Sequence, residues 1–374
     1  MITATLASAA EKFHVTAISC GRDHTLALTG AGKVIGWGGD GSGRIPSGAP
    51  EYCTTPAPTR AVEVLMHEPL TAIAAGYGMS LGITPRREVA VWGANGAGIG
   101  GRLDALAAAT PLRVDILARV RAVDAGEFQS AAIDEAGALF TWGLDLDGAL
   151  GRPSASFESP PARVAGVPSV RALSIGKGYM LALTKDRAVF AWGSNAAGQL
   201  GLGHLKSAPL PTKVQLEHGI ETLAAGASHS LALTTAGQIF AWGSNNHGQL
   251  GLDGPAYSMV PLAIALPERV QAIAAGMYFS LALGKSGQVY AWGWNEQGQL
   301  GLNDRADRRT PTPIPKLARM DAISAGQAHA AAIGSGYLFG WGSNAAGQIG
   351  AAALEQRHPI PLLAISQLAR GRHV

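Results

Sequence analysis

Cysteine is nearly missing: Cys20 and Cys53 are the only two in 374 residues. Two thiols outside CxxC spacing exclude a disulfide framework and a cysteine-based metal site, and they suit a reducing compartment. Charge is also scarce, at 15% of residues, and the formal +3 is spread over scattered arginines. No run of five or more basic residues is present to track a phosphate backbone, so nucleic acid is not an expected partner. Nothing approaches the roughly 18 uninterrupted apolar residues of a membrane-spanning helix. The opening MITATLASAAEKF lacks the basic-then-apolar order of a secretion signal. These absences point to a soluble, cytoplasmic protein with no membrane partner.

What is abundant is glycine, 50 residues, within a chain that is 47% hydrophobic. That balance suits tight turns joining short buried strands. It is also strongly periodic. FAWGSNNHGQLGL at 240–252 returns as FAWGSNAAGQLGL at 190–202, YAWGWNEQGQLGL at 290–302 and FGWGSNAAGQIG at 339–350. Trp-Gly pairs begin at Trp37, Trp92, Trp142, Trp192, Trp242, Trp292 and Trp341, most of them 50 residues apart. A Gly-x-x turn keeps step at Gly21, Gly76, Gly126, Gly176, Gly226, Gly276 and Gly326. Seven copies of about 50 residues therefore fill roughly 15–365, interrupted at 39–66 by a Gly-, Pro- and Ser-rich stretch that reads as a mobile loop or a lengthened outer connection.

Within a copy the apolar pattern alternates with period two. TLAAG at 222–226, SLALT at 230–234 and QIFAW at 238–242 read as three strands, and proline-bearing runs such as APLPTKV at 208–214 supply a fourth. Proline cannot donate to a ladder, so the fourth strand belongs at the sheet edge. The middle of the second strand is always small, from Ala27 and Gly82 to Ala282 and Ala332, which lets neighbouring sheets approach closely. Sheets of this kind cannot bury both faces alone. Closing seven of them into a ring predicts an all-β, seven-bladed β-propeller of four-stranded antiparallel blades, in a single domain over 1–374.

The AxGxxHSLALTxxGxVxAWGxNxxGQLG pattern, best seen at 224–251, resembles the repeats of the regulator of chromosome condensation family. The resemblance implies a seven-bladed propeller. It also implies one of several roles: nucleotide exchange on a small GTPase, a protein-binding platform, or, as in the bacterial-type member beta-lactamase inhibitory protein II, a face that blocks an enzyme. The residue three after the turn glycine, usually His in that family, is His24, His229 and His329 here but Met79, Gln129, Tyr179 and Phe279 in the other copies. An Asp-His pair like the exchange factor's occurs only at Asp23-His24.

Strand directions place the Gly-x-x turns and the SNxxGQLG loops on one face. That face should carry Tyr77, Met79, Glu127, Phe128, Gln129, Lys177, Tyr179, Met277, Tyr278 and Phe279, with Asp145, Asp147, His247, Trp294 and Glu296 in the loops. Aromatic anchors among polar groups are what a docking surface needs, so these residues, with Asp23, His24, His229 and His329, are the candidate contacts for a partner protein or peptide. The alternative is that such side chains plug the channel or pack between blades. Glu127, Lys177, Tyr179 and His229 form a candidate acid/base group for an enzyme or a small-molecule binder in the central funnel. The three histidines could instead converge on a metal, although channel histidines more often bond to turn backbone. No cofactor is implied. Gly96-Ala97-Gly98-Ile99-Gly100-Gly101 matches GxGxxG before a helical-looking RLDALAAA, but it stands where other copies have SNxxGQLG and so reads as a propeller turn.

Overall fold

The computed structural model describes residues 14–39, 43–45, 61–95, 98–101, 107–114, 117, 119–154, 158–216, 218–334, 336–350 and 355–364. Seven separate four-stranded antiparallel sheets account for its strands, each built from one repeat with the strands in chain order. The blades span 15–63, 72–113, 120–163, 170–213, 220–264, 270–313 and 320–364. No helix occurs among the described residues.

Blade 5 shows why the sequence folds this way. Its strands are Ile220–Ala225, His229–Thr234, Ile239–Ser244 and Tyr257–Ile264. Ala232 stands opposite Leu223 on one side and Phe240 on the other. The second strand is buried along its whole length, so its small central residue sets how closely blade 4 can pack. In blade 2 a methyl added at Gly82 would land on Leu70. The first strands line the axis and touch one another around the ring, while the proline-bearing fourth strands lie at the outer edge. One proline-rich edge strand, Ala107–Arg113, takes in the end of the helical-looking RLDALAAA run. For 107–109 that expectation fails because the segment pairs with Val89–Ala94, and tertiary pairing overrides local propensity; 102–106 lie outside the described residues.

All seven motif tryptophans are fully buried. Six of the indole N–H groups donate to a carbonyl of the preceding blade, as Trp242 does to Gln199 at 2.8 Å and Trp142 to Ile99 at 2.9 Å. In five blades the loop after the tryptophan is closed by an asparagine: Asn195 Oδ1 accepts the Leu200 amide at 2.9 Å, and Asn295 Oδ1 the Leu300 amide at 3.0 Å, with Asn95, Asn245 and Asn344 alike. Asp145 does the same work in blade 3. Of the 39–66 stretch, Arg44 and Ile45 pack into the body and Val62–Glu63 forms the fourth strand of blade 1. The rest of it, 40–42 and 46–60, lies outside the described residues, as do Gly96 and Ala97 of the GxGxxG match.

The ring closes without exchange of a strand between the first and last blades. Across that junction the Gln327 amide donates to the Gly21 carbonyl (3.1 Å) and the Cys20 amide to Ser324 Oγ (3.0 Å).

Candidate functional site

Each Gly-x-x turn is pulled tight by its own backbone: the Gly226 amide donates to the His229 carbonyl at 2.8 Å. The next residue reaches sideways. Arg22, Tyr77 and Gln327 donate their amides to the glycine carbonyls of the following blades at 3.1, 3.0 and 3.1 Å, while Ala227 and Met277 donate to the carbonyls of Met277 and Gln327 at 3.1 and 3.3 Å. These turns ring the mouth of a central cavity of about 160 Å³. Its rim side chains are Arg22, Tyr77, Glu127, Lys177, Ala227, Met277 and Gln327. The SNxxGQLG loops begin on the same face, since the Ser244 amide donates to Ser228 and the Trp294 amide to Tyr278.

The third position of the turn is not part of that surface. His24, Met79, Gln129, Tyr179, His229, Phe279 and His329 are all buried, which removes them as partner contacts. Each reaches into the seam with a neighbouring element instead. His24 Nε2 meets Ser80 Oγ at 2.9 Å, His229 Nε2 meets Ser280 Oγ at 2.9 Å, and His329 Nε2 meets Thr25 Oγ1 at 2.8 Å. Ser280 and Thr25 hydroxyls donate onward to the carbonyls of Gln249 and Gln348. The imidazoles of His229 and His329 therefore donate to the hydroxyl, which fixes their Nε2–H tautomer. Burial pushes all three histidines down to about 3, with Arg44 adding to the effect at His24. They are neutral inter-blade latches bonded to hydroxyls of the next blade, not to turn backbone and not to a common centre. Tyr179 replaces His in blade 4: its hydroxyl donates to the His229 carbonyl (2.6 Å) and accepts from Ser230 (3.1 Å). Met79 Sδ accepts from Ser130, and Gln129 donates to the Leu144 carbonyl.

The proposed acid/base group is thereby split. Glu127 and Lys177 pair at 3.2 Å on the rim. Tyr179 and His229 lie sealed beneath it, with burial raising the phenol and lowering the imidazole. Neither can exchange a proton with a molecule in the funnel.

What remains exposed forms two clusters. At the mouth, the Arg22 guanidinium carbon lies 4.1 Å over the centre of the Tyr77 ring, and Tyr77 lies 6.4 Å from Phe128, which is 37% exposed. Toward the rim of blades 5 and 6, His247, Tyr278 and Trp294 form a triangle of rings with centroids 5.6–6.2 Å apart. Asp307 anchors it, accepting from His247 Nδ1 and from the Asn295 amide. Met277 and Glu296 flank these rings in the turn and the loop. Asp23 follows Arg22 in its turn and is held in an ion pair by Arg44.

The RCC1-like domain model matches residues 170–373, and the model of the RCC1 repeat matches 15–44. The chain belongs to the RCC1-like domain family. Among curated relatives of this RCC1-like chain, the Arabidopsis thaliana mitochondrial RCC1 domain-containing protein RUG3 is 37% identical over 22% of it, and the Arabidopsis thaliana ultraviolet-B receptor UVR8 is 30% identical over 32%. The matched stretches span 18% and 27% of those two proteins. Human WBSCR16 shares the fold with a TM-score of 0.79 and 23% identity, covering 88% of this chain and 93% of that one. Prp20p of Saccharomyces cerevisiae, described with its binding to Gsp1p and histones, gives 0.74 at 24% identity over 84% of this chain and 80% of its own.

Sequence reasoning missed three features. Arg22 and Gln327 complete the rim, and the signal for them was the residue directly after the turn glycine. The hydroxyl that follows the latch position, as in His24-Thr25 and His229-Ser230, signals an inter-blade bond. Asp124 gives no local signal. It faces the axis where sister blades carry Ser174 and Ser324, and it accepts the amides of Ala125 and Ile175, each at 2.9 Å. Burial pushes its carboxyl up to about 6.

Proposed function

We propose that this propeller is a non-enzymatic docking module that binds a partner protein or peptide on the face formed by the Gly-x-x turns and the SNxxGQLG loops. One observation carries the reading: five partly exposed rings from the turns and loops of this face gather in two clusters, Tyr77–Phe128 and His247–Tyr278–Trp294. Rigid rings bury much area at little entropic loss, and Trp and Tyr dominate binding hot spots. The sealed, neutral state of His229 and Tyr179 supports docking over turnover in the funnel.

The mode we favour is that of bacterial-type members such as beta-lactamase inhibitory protein II, in which a propeller face occludes another protein. The compartment we favour is the cytoplasm, and the whole chain acts as one domain. Nucleotide exchange on a small GTPase is the weaker reading, because Asp23, the residue it relies on, is already paired with Arg44. A partner would have to break that half-buried pair first.

The test is selection of binders from a random-peptide display library. Peptides with micromolar affinity should be recovered, and Phe128→Ala/Tyr278→Ala/Trp294→Ala should weaken them at least tenfold while melting like the wild type. Undiminished binding by that variant, or recovery of no peptide at all, would sink the reading.

A further inference from the structure

We infer that the mouth of the funnel takes a carboxylate: the acidic side chain of the docked partner, gripped by Arg22. The inference rests on the docking reading and assigns what the centre of that face recognises.

The charge at the mouth is unbalanced in a specific way. One carboxylate and two cations line it, Glu127, Lys177 and Arg22. Glu127 is paired with Lys177 at 3.2 Å, and the neighbouring Asp23 is taken by Arg44. Glu127 is the more enclosed partner, its side chain 12% exposed against 57% for Lys177. Arg22 is left over. Among the described residues its guanidinium has no ion pair, it is exposed, and it lies over the Tyr77 ring, 4.1 Å from the ring centre.

That contact prepares the group for a carboxylate. A cation held over a ring is attracted by the ring face and uses none of its N–H donors, which stay free for the two oxygens of a carboxylate. The contact also restrains a long, rotamer-rich side chain before any ligand arrives, which lowers the entropic loss on binding. The cavity beside it, about 160 Å³, is the size of one side-chain tip rather than a cofactor. Its walls are mostly apolar: the alanines of the first strands, with Met277 and Tyr77 at the rim. Low-dielectric walls strengthen attraction between the entering charge and Arg22. The cluster His247–Tyr278–Trp294 does not compete for this role, since its rings touch one another and leave no gap between them.

The experiment has two arms. In the first, N-acetylglutamate methylamide and its glutamine counterpart are titrated into the full chain while amide and arginine side-chain NMR signals are followed. Saturable shifts centred on Arg22, Tyr77 and Lys177 are expected with the carboxylate and not with the amide. They should weaken severalfold between 50 and 300 mM salt, vanish in Arg22→Gln and be only partly restored in Arg22→Lys. Equal shifts with both ligands, or no shift at 50 mM, would overturn the inference.

In the second arm, the display-selected peptides are compared with their Asp→Asn and Glu→Gln versions on wild type and Arg22→Gln. A tenfold loss on wild type that disappears on Arg22→Gln supports the anchor. Peptides that depend on Trp294 but not on their own acids would overturn it and leave docking intact. Carboxylate binding in the first arm with no peptide selected would overturn both docking and the assignment to a partner's side chain.

Discussion

His229 donates to Ser280 from a fully buried site, and protonating it there would place a charge away from solvent with no ion-pair partner among the described residues. Its ionisation therefore falls to about 3, as do those of His24 and His329, against 6.5 in an unfolded chain. A depressed base contributes stability above its unfolded pKa and loses it as pH falls, so acidification from 6.5 toward 3 should destabilise the fold. Asp124 works in the opposite direction. Raised to about 6 from 3.8, it binds its proton more tightly in the folded state and adds stability as pH falls from 6 toward 4. Near pH 5 the three histidines outweigh the one carboxylate, leaving about two protons taken up on unfolding. His229→Gln, which copies the residue found at this turn position in blade 3, should flatten the stability–pH slope by about 1.4 kcal/mol per pH unit. Urea midpoints between pH 4.5 and 6.5 test this, and an unchanged slope would contradict it. The latch position was visible in the sequence, but its burial was not. A one-dimensional pattern shows that the residue follows a turn, not that it points down into the seam. The hydroxyl one residue later is what decides the direction, because it needs a donor from the previous blade.

At the scale of the strand and turn, glycine is used in three physically different ways. A methyl at Gly226 would strike the His229 imidazole and come within 2.6 Å of the Gly276 carbonyl oxygen, both fixed by the latch and the neighbouring blade. At Gly203 there is open space, but φ is +80°, a conformation that L residues adopt only with strain. Gly254 has open space and no such constraint. Alanine scanning should therefore give a graded series: about 3 kcal/mol or more lost at Gly226, about 1 at Gly203 and within about 0.5 of zero at Gly254. Equal melting temperatures for the first and last variants would refute this division. The blade architecture was legible because strand alternation, edge prolines and turn glycines all agree within each repeat. The helical-looking end of RLDALAAA was the exception. Alanine favours helix locally, and only the ladder with Val89–Ala94 holds it extended.

For the whole molecule the decisive fact is how the ring is fastened. Blades 1 and 7 are each complete in themselves, so their junction is held by side-chain and turn contacts without a shared ladder. Those contacts are the Gln327–Gly21 and Cys20–Ser324 bonds and the His329–Thr25 latch. The seam also lacks one fastening that the others have. Trp37 is the one motif tryptophan whose buried N–H finds no acceptor among the described residues; the Gln348 carbonyl in the matching place of blade 7 accepts the Thr25 hydroxyl alone. Contacts of this kind open locally before the whole fold does, since each blade contacts only its neighbours and stability is close to a sum over blades and seams. Native-state hydrogen exchange should find the amides of Val15–Cys20 and Met320–Ala325 exchanging faster than those of Val170–Ile175 and Ile220–Ala225, which carry the same strand role between complete seams. Thr25→Val should widen the gap, because it removes the acceptor of His329 and the donor to Gln348 in one step and leaves the buried imidazole N–H unpaired. The matching change Ser280→Val strips the His229 latch and should speed exchange across blades 5 and 6 only. If Thr25→Val instead raised exchange evenly around all seven blades, the ring would be opening as one cooperative unit, and the seam between first and last blades would be no weaker than the rest.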